Sequence, residues 1–270
     1  MREKRKELGR ATSSDESEPE QELAPGATVL HALFNRKVVL HPDKTVVKSG
    51  KRIPIGEAEA LKAAVAAGVP APALHEAYTT ADGENHIRMS YIEGETLHTL
   101  WPDMSAESRK DIALQLRDIL KIMRSATPPP DYIGACDGSQ IRETRVHFAY
   151  HAPPCSDEKG FNDYLLSALY EPTPALIRQA FARRMQTHTH HRIVLSHCDL
   201  MPRNILVQDG KIKGLIDWED GGWYPEYWEY VKFFQRFGER DWKEYAEVIF
   251  PELSQDELVD MLAISQWQHS

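Results

Sequence analysis

Between Ile193 and Lys232 the chain gathers side chains that can do chemistry together. His197, Asp199 and Asn204 follow the spacing H-x-D-x-x-x-x-N, and Asp217 stands further on, past Asp209-Gly210. An Asp-Gly pair between alternating segments is the strongest short hairpin signal, calling for a two-residue type I′ turn. With that turn at Asp209 and Gly210, Gln208 pairs with Lys211, Val207 with Ile212 and Asn204 with Leu215. Side chains alternate faces along a strand, so Leu215 and Asp217 share one. Asn204 and Asp217 are therefore expected diagonally across the open end, roughly 7–8 Å apart at the backbone. Two oxygen-bearing side chains at that separation can close on one cation. Magnesium suits the pair, because it takes hard oxygen ligands and keeps several waters plus substrate phosphates. Asp199, on the loop before Asn204, can then accept the proton of an attacking hydroxyl. His197, at the end of the buried run 193–195, is expected to brace that loop by hydrogen bonds rather than titrate.

Other elements must hold these groups in place. Residues from about 27 to 48 read as short strands, with a turn at His41-Pro42-Asp43 between 38–40 and 45–48. Residues 55–67 are rich in helix formers, and Gly68 and Pro70 close that helix. Residues 85–93 resume as a strand, broken by Gly94. Ser105 is placed to cap a helix to about 124, whose Ile112, Leu116, Ile119, Leu120 and Met123 fall on one face. Pro128-Pro129-Pro130 ends it, and 131–157 reads as an irregular loop. Helices follow over 158–170, 174–187 and 225–268. The expected fold class is α+β, with a small β-rich N-terminal lobe over 26–92 and a larger helical lobe over 93–270. Residues 1–25 read as a disordered charged tail.

The stretches His197-Cys198-Asp199-Leu200-Met201-Pro202-Arg203-Asn204 and Ile216-Asp217-Trp218-Glu219 resemble the catalytic and metal motifs of the aminoglycoside phosphotransferase and choline kinase group. That group has a two-lobed protein-kinase-like fold. Trp218 stands where protein kinases have the Phe of D-F-G, and residues 222–232 resemble fungal members. The likeness runs from about Thr45 to Lys232 and is strongest over 193–232. It implies a small-molecule kinase that moves the γ-phosphoryl of ATP to a hydroxyl with Mg²⁺. Asp199 becomes the catalytic base, and Asn204 and Asp217 the magnesium ligands. Lys48 is matched to the lysine that contacts the α- and β-phosphates. Its helix partner is Glu57, with Glu59 as runner-up. Two residues apart on a helix they point about 200° apart, so only one can face Lys48. Residues 89–94 resemble the hinge that meets the adenine, through backbone groups of Ser90 and Ile92. One departure stands out: residues 27–40 contain no glycine, so no glycine-rich phosphate loop is visible.

Bulk properties narrow the partners. The 270 residues are 41% hydrophobic and 27% charged, ordinary for a globular chain. A net charge of -9 argues against a nucleic-acid surface and leaves room for a cationic acceptor. Three widely spaced cysteines make no disulfide framework, and no apolar run of about 18 residues suggests a membrane span. A cytoplasmic, reduced setting is expected. Three features compete for other roles. His188, His190, His191, His197 and Cys198 suggest zinc, but H-x-H-H does not place three nitrogens around one ion without help from elsewhere. The aromatic run from Trp218 to Phe234 could box a quaternary amine, yet such runs are more often core. Asp220, Glu226 and Glu229 could meet a cationic acceptor or serve as caps and salt bridges. The alternative reading of the whole chain is a nucleotide-binding pseudokinase or scaffold, motivated by the missing glycine loop.

Overall fold

A computed structural model describes residues 24–33, 36–144, 149–187, 190–236, 238 and 240–268. Most of the expected tail, and His188, lie outside the described residues. The first sheet is antiparallel and has five strands: β1 (Thr28–Leu33), β2 (Arg36–Leu40), β3 (Thr45–Gly50), β4 (Leu74–Thr79) and β5 (Asn85–Ser90), in the order β1-β2-β3-β5-β4. The expected turn joins β2 to β3. Asp43 accepts both the Thr45 N–H at 3.1 Å and its hydroxyl at 2.6 Å, which lets Lys44 sit at φ 61.

Helix α1 (Glu57–Ala66) buries Ala58, Ala60, Leu61 and Ala64. The last three share a core with Val46, Ile87 and Met89 of the sheet. Its alanines let helix and sheet approach closely. Gly68 at φ 85 ends it, as the sequence suggests. After β6 (Glu95–Thr96) and α2 (Leu97–Leu100) comes α3 (Ala106–Arg124), with Ser105 accepting the Ser108 N–H at 3.1 Å. Its buried face is the predicted one, Ile112, Leu116, Ile119, Leu120 and Met123 among them. Each such side chain contributes about 1.5–3 kcal/mol by leaving water.

The stretch 131–157 departs from the expected loop. It contains β7 (Gly134–Ala135), β8 (Ile141–Thr144) and β9 (Ala149–Ala152). β7 completes a sheet with β10 (Ile193–Ser196) and β13 (Gly222–Pro225), in the order β10-β13-β7. A two-residue strand is too short for alternation to show. Helices α4 (Glu158–Ser167) and α5 (Ala175–Met185) precede β10.

The hairpin of β11 (Ile205–Gln208) and β12 (Lys211–Leu215) forms on the predicted turn, with Asp209 at φ 52 and Gly210 at φ 69. Its register differs from expectation beyond Val207. A bulge shifts the pairing, so Leu206 faces Gly214 and Ile205 faces Leu215. Asn204 is thus opposite Ile216, whose N–H donates to the Asn204 carbonyl at 2.9 Å. Lys213 is the extra residue, and beside it a Cβ on Gly214 would meet Ile92 Cδ1 at 2.4 Å. A glycine in a strand interior often marks a bulge or a close approach of this kind.

The chain finishes with α6 (Trp228–Gln235), α7 (Arg240–Lys243), α8 (Ala246–Ile249) and α9 (Gln255–Ser265). One apolar cluster unites the first sheet with α1, α3, Leu195, Leu200, Leu215 and Trp218. A second gathers Phe161, Leu165, Tyr224, Trp228 and Met261. Trp218, Tyr224, Tyr227, Trp228 and Phe233 are fully buried, so this aromatic run is core.

Candidate active site

Two groups of polar side chains meet where the first sheet faces the β11–β12 hairpin. In the first, β3 carries Lys48 inward, and its Nζ donates to Glu57 Oε2 at 2.5 Å and to Asp217 Oδ1 at 2.6 Å. Glu219 Oε2 lies 3.8 Å from the same nitrogen. Arg36, at the start of β2, donates to Glu219 Oε2 at 2.7 Å and to Asp217 Oδ1 at 3.2 Å. Glu59, the alternative to Glu57, points away and pairs with Lys62.

Asp217 owes its aim to a backbone φ of 65, a conformation uncommon outside glycine. Trp218 fixes that kink. Its indole N–H donates to the Leu215 carbonyl at 2.9 Å, and its ring rests on His197 with centroids 4.5 Å apart. Burial works against the Asp217 carboxylate, but Lys48 and then Arg36 outweigh it and hold it well below the usual range. Burial also opposes the Lys48 ammonium, and Glu57, Asp217 and Glu219 together hold it above the ordinary lysine value. Burial pushes Glu57 and Glu219 up, with Asp217 adding to both. Oxygens of Glu57, Asp217 and Glu219 all lie within 4.8 Å of one another. Such a set of hard carboxylate donors fits a divalent cation of the magnesium type. Among the described residues no other group of acids, histidines or cysteines is so placed.

The second group is the loop after β10. Asp199 is buried, and its Oδ2 accepts from Arg203 at 2.6 Å and from Asn204 Nδ2 at 2.9 Å. Its Oδ1 lies 3.6 Å from Arg236 Nε and has no hydrogen-bond partner among the described residues. His197 braces the loop as expected. Its Nδ1 accepts the Asp199 N–H at 3.2 Å, so Nε2 is the nitrogen that donates to the Ile216 carbonyl, at 3.0 Å. Cys198 sits at φ 67, and Glu229 makes that bend possible. The buried Glu229 carboxylate accepts the N–H of His197 at 2.5 Å and of Cys198 at 3.0 Å. Burial pushes it up, while His197 and those two amides pull it back. Asp220 is buried too, taking Arg142 at 2.7 Å and also Arg236. Two of the acids considered for a cationic acceptor are thus committed to internal braces, and Glu226 pairs with Arg192.

The structure therefore brings Lys48, Glu57 and Asp217 together, and Asp199 with Asn204. The two groups join through Ile216, which bonds both Asn204 and His197. Asn204 turns its amide nitrogen to Asp199, while Glu57 and Glu219 are the acids with oxygens within 4.8 Å of one from Asp217. At the hinge, the Ser90 N–H donates to the Ala73 carbonyl at 2.9 Å. That leaves the Ser90 carbonyl, rather than its N–H, for a ligand. Ile92 packs over Gly214. The sequence reading missed Arg36, Glu219, Arg203 and Arg236. Glu219, two positions beyond Asp217, and Arg203, four beyond Asp199, had local signals; Arg36 and Arg236 had none. His191, once weighed for zinc, bonds Glu158 at 2.7 Å.

A buried lysine paired with two acids, an acidic cluster and a buried aspartate on the loop after β10 thus meet in a molecule of phosphotransferase-like, kinase-like fold. Residues 51–258 match the model of the phosphotransferase enzyme family, and the chain belongs to that family as a small-molecule kinase. No curated protein sequence matches it. Among solved structures it is similar to a thermostable mutant of aminoglycoside phosphotransferase APH(4)-Ia in ternary complex with AMP-PNP and hygromycin B. That likeness has a TM-score of 0.64 at 13% identity, covering 89% of this chain and 84% of the other. It is also similar to the streptomycin–ATP complex of APH(2")-IIa, with TM-score 0.56 and 16% identity over 88% of this chain and 80% of that one. At such identity the likeness speaks to the fold, and none of these names bears on the fungal resemblance of 222–232. No described helix is long and apolar enough to cross a membrane.

Proposed function

We propose that this kinase transfers the γ-phosphoryl of ATP to a hydroxyl of a small molecule, with Mg²⁺ bound at the acidic cluster. The observation that carries this is the convergence of Lys48, Glu57 and Asp217 beside Asp199, from four separate stretches of chain. The acceptor oxygen attacks the γ-phosphorus, the bond from that phosphorus to the β,γ-bridging oxygen breaks, and ADP leaves. The hydroxyl proton goes to the Asp199 carboxylate, whose Oδ1 is the unpartnered atom. Lys48, held by Glu57, contacts the α- and β-phosphates. Asp217 and Asn204 hold the cation, which supplies charge neutralisation at the phosphates. Glu219 is near enough to join them. The adenine meets the Ser90 carbonyl and the Ile92 N–H. Residues 26–92 then act as the nucleotide-covering lobe and 93–270 as the catalytic lobe. Relatives of the same fold were captured with AMP-PNP, GDP or ATP and with hygromycin B, kanamycin or streptomycin. A hydroxylated metabolite or antibiotic is the matching acceptor class.

The test is Asp199→Asn in an ATP-consumption screen across such acceptors. We expect transfer to fall by about 10²–10⁴-fold, with magnesium–nucleotide binding retained. Transfer that survives the substitution overturns the assignment. One observation favours a second reading, a nucleotide-binding scaffold. Both acids carry arginine partners, Arg36 on Asp217 Oδ1 and Arg203 on Asp199 Oδ2. Nucleotide binding with no product from any acceptor supports that reading instead.

A further inference from the structure

A triphosphate brought to Asp217 needs cationic or N–H partners for its terminal phosphate. Glycine-rich loops supply backbone N–H groups, because glycine lets the main chain approach closely. Residues 27–40 hold no glycine. The structure places two guanidinium groups at the site instead. Arg36, 29% exposed at its side chain, reaches from the sheet onto Asp217 and Glu219. Arg203, 50% exposed, reaches from the catalytic loop onto Asp199.

The Arg36 position conflicts with the task of its partner. A cation bound at Asp217 Oδ1 competes with the two donors now on that oxygen, Lys48 and Arg36. Lys48 is 7% exposed and anchored by Glu57 at 2.5 Å, so Arg36 is the one that can leave. At Asp199, Arg203 and Asn204 hold Oδ2 and leave Oδ1 open, so the Arg203 guanidinium stands beside the carboxylate that takes the acceptor proton. Arg36 once displaced, and the half-exposed Arg203, are both tethered beside the site, and the incoming anion there is the terminal phosphate. A guanidinium fork matches phosphate geometry with two parallel hydrogen bonds.

We propose that Arg36 and Arg203 form a clamp for the γ-phosphate, taking the place of a glycine-rich loop, and that without nucleotide each rests on a catalytic carboxylate. The clamp rests on the phosphoryl-transfer reading above. It is tested by calorimetric binding of magnesium–AMP-PNP and magnesium–ADP to the wild-type chain, Arg36→Ala, Arg203→Ala and Arg36→Lys. Charge-assisted hydrogen bonds of this kind are each worth about 10–100-fold in affinity. The ratio of AMP-PNP to ADP affinity should therefore fall about tenfold or more in each alanine variant. Arg36→Lys keeps the charge without the fork and should lie between. A second readout uses Mn²⁺ alone, followed by paramagnetic resonance. Arg36→Ala should bind it several-fold more tightly, because Asp217 and Glu219 have lost a competitor. An unchanged triphosphate-to-diphosphate ratio in either alanine variant, or unchanged Mn²⁺ affinity, overturns the clamp while leaving the kinase reading intact. A wild-type chain that binds neither nucleotide sinks both.

Discussion

Lys48 is the common cation of three acids, and its removal should cost far more than removal of any one of them. Breaking a buried ion pair leaves an uncompensated charge, at a cost of about 3–5 kcal/mol. We expect Lys48→Met to lose stability in that range by denaturant titration. Glu57→Gln should lose less, since Lys48 keeps Asp217 at 2.6 Å. The reverse order would mean that Glu57 rather than Lys48 organises the cluster. The choice of Glu57 over Glu59 was half legible in the sequence. Helical geometry says that one of the two must turn away, and only the sheet's position says which. Arg36 had no local signal, because a lone arginine before a strand gives no hint of an acid 181 positions later.

At the scale of elements, two glycines mark where strands crowd their neighbours. A Cβ on Gly222 would meet the Gly134 carbonyl oxygen at 2.5 Å and the Tyr224 ring at 2.6 Å, whereas one on Gly214 would meet the end of the Ile92 side chain. Backbone cannot step aside and a side-chain tip can. Gly222→Ala should therefore destabilise by at least the about 1–3 kcal/mol typical of overpacking, and Gly214→Ala by less. Ile92→Ala should restore the Gly214→Ala variant and not the Gly222→Ala one, read as thermal midpoints. The bulge at Lys213 is also why the sequence-derived register slipped. Counting outward from a turn assumes one residue opposite one, and the bulge breaks that count.

A pH effect belongs to the same scale. His191 joins α4 to α9 through Glu158 at 2.7 Å and Glu257 at 3.5 Å, against the Tyr227 ring. The hydrogen bond to Glu158, and then the charges of Glu158, Glu257 and Glu226, raise its imidazole despite burial. A raised folded value means stability that is full below the unfolded value near about 6.5. It is lost as pH rises through the folded value. The midpoint should fall between mildly acidic and mildly alkaline pH, and His191→Gln should flatten that slope. An unchanged slope in the variant would assign the effect elsewhere.

Across the whole molecule, one apolar cluster runs from the first sheet through α3 to the β11–β12 hairpin. Lys48 ties the sheet to Asp217 over the same boundary. The two regions should therefore unfold in a single transition. Magnesium–AMP-PNP at about a hundred times its dissociation constant should then add about 2.7 kcal/mol to that one transition. A separate early melt of residues 26–92, unaffected by nucleotide, would show that the lobes are not coupled.

Local chemistry was enough for the sequence to determine the hairpin turn, the Ser105-capped helix and the order of Asp199, Asn204 and Asp217. Those features rest on residues a few positions apart, where conformational preference and side-chain period act directly. The tertiary structure alone decided that Glu219 and Arg36 join Lys48, that Glu229 and Asp220 serve the loop rather than a ligand, and that two arginines rest on the catalytic acids. All of these but Arg203 on Asp199 join residues distant in the chain. They form because burial brings charges together that no local pattern relates, and each must find a partner or remain near water.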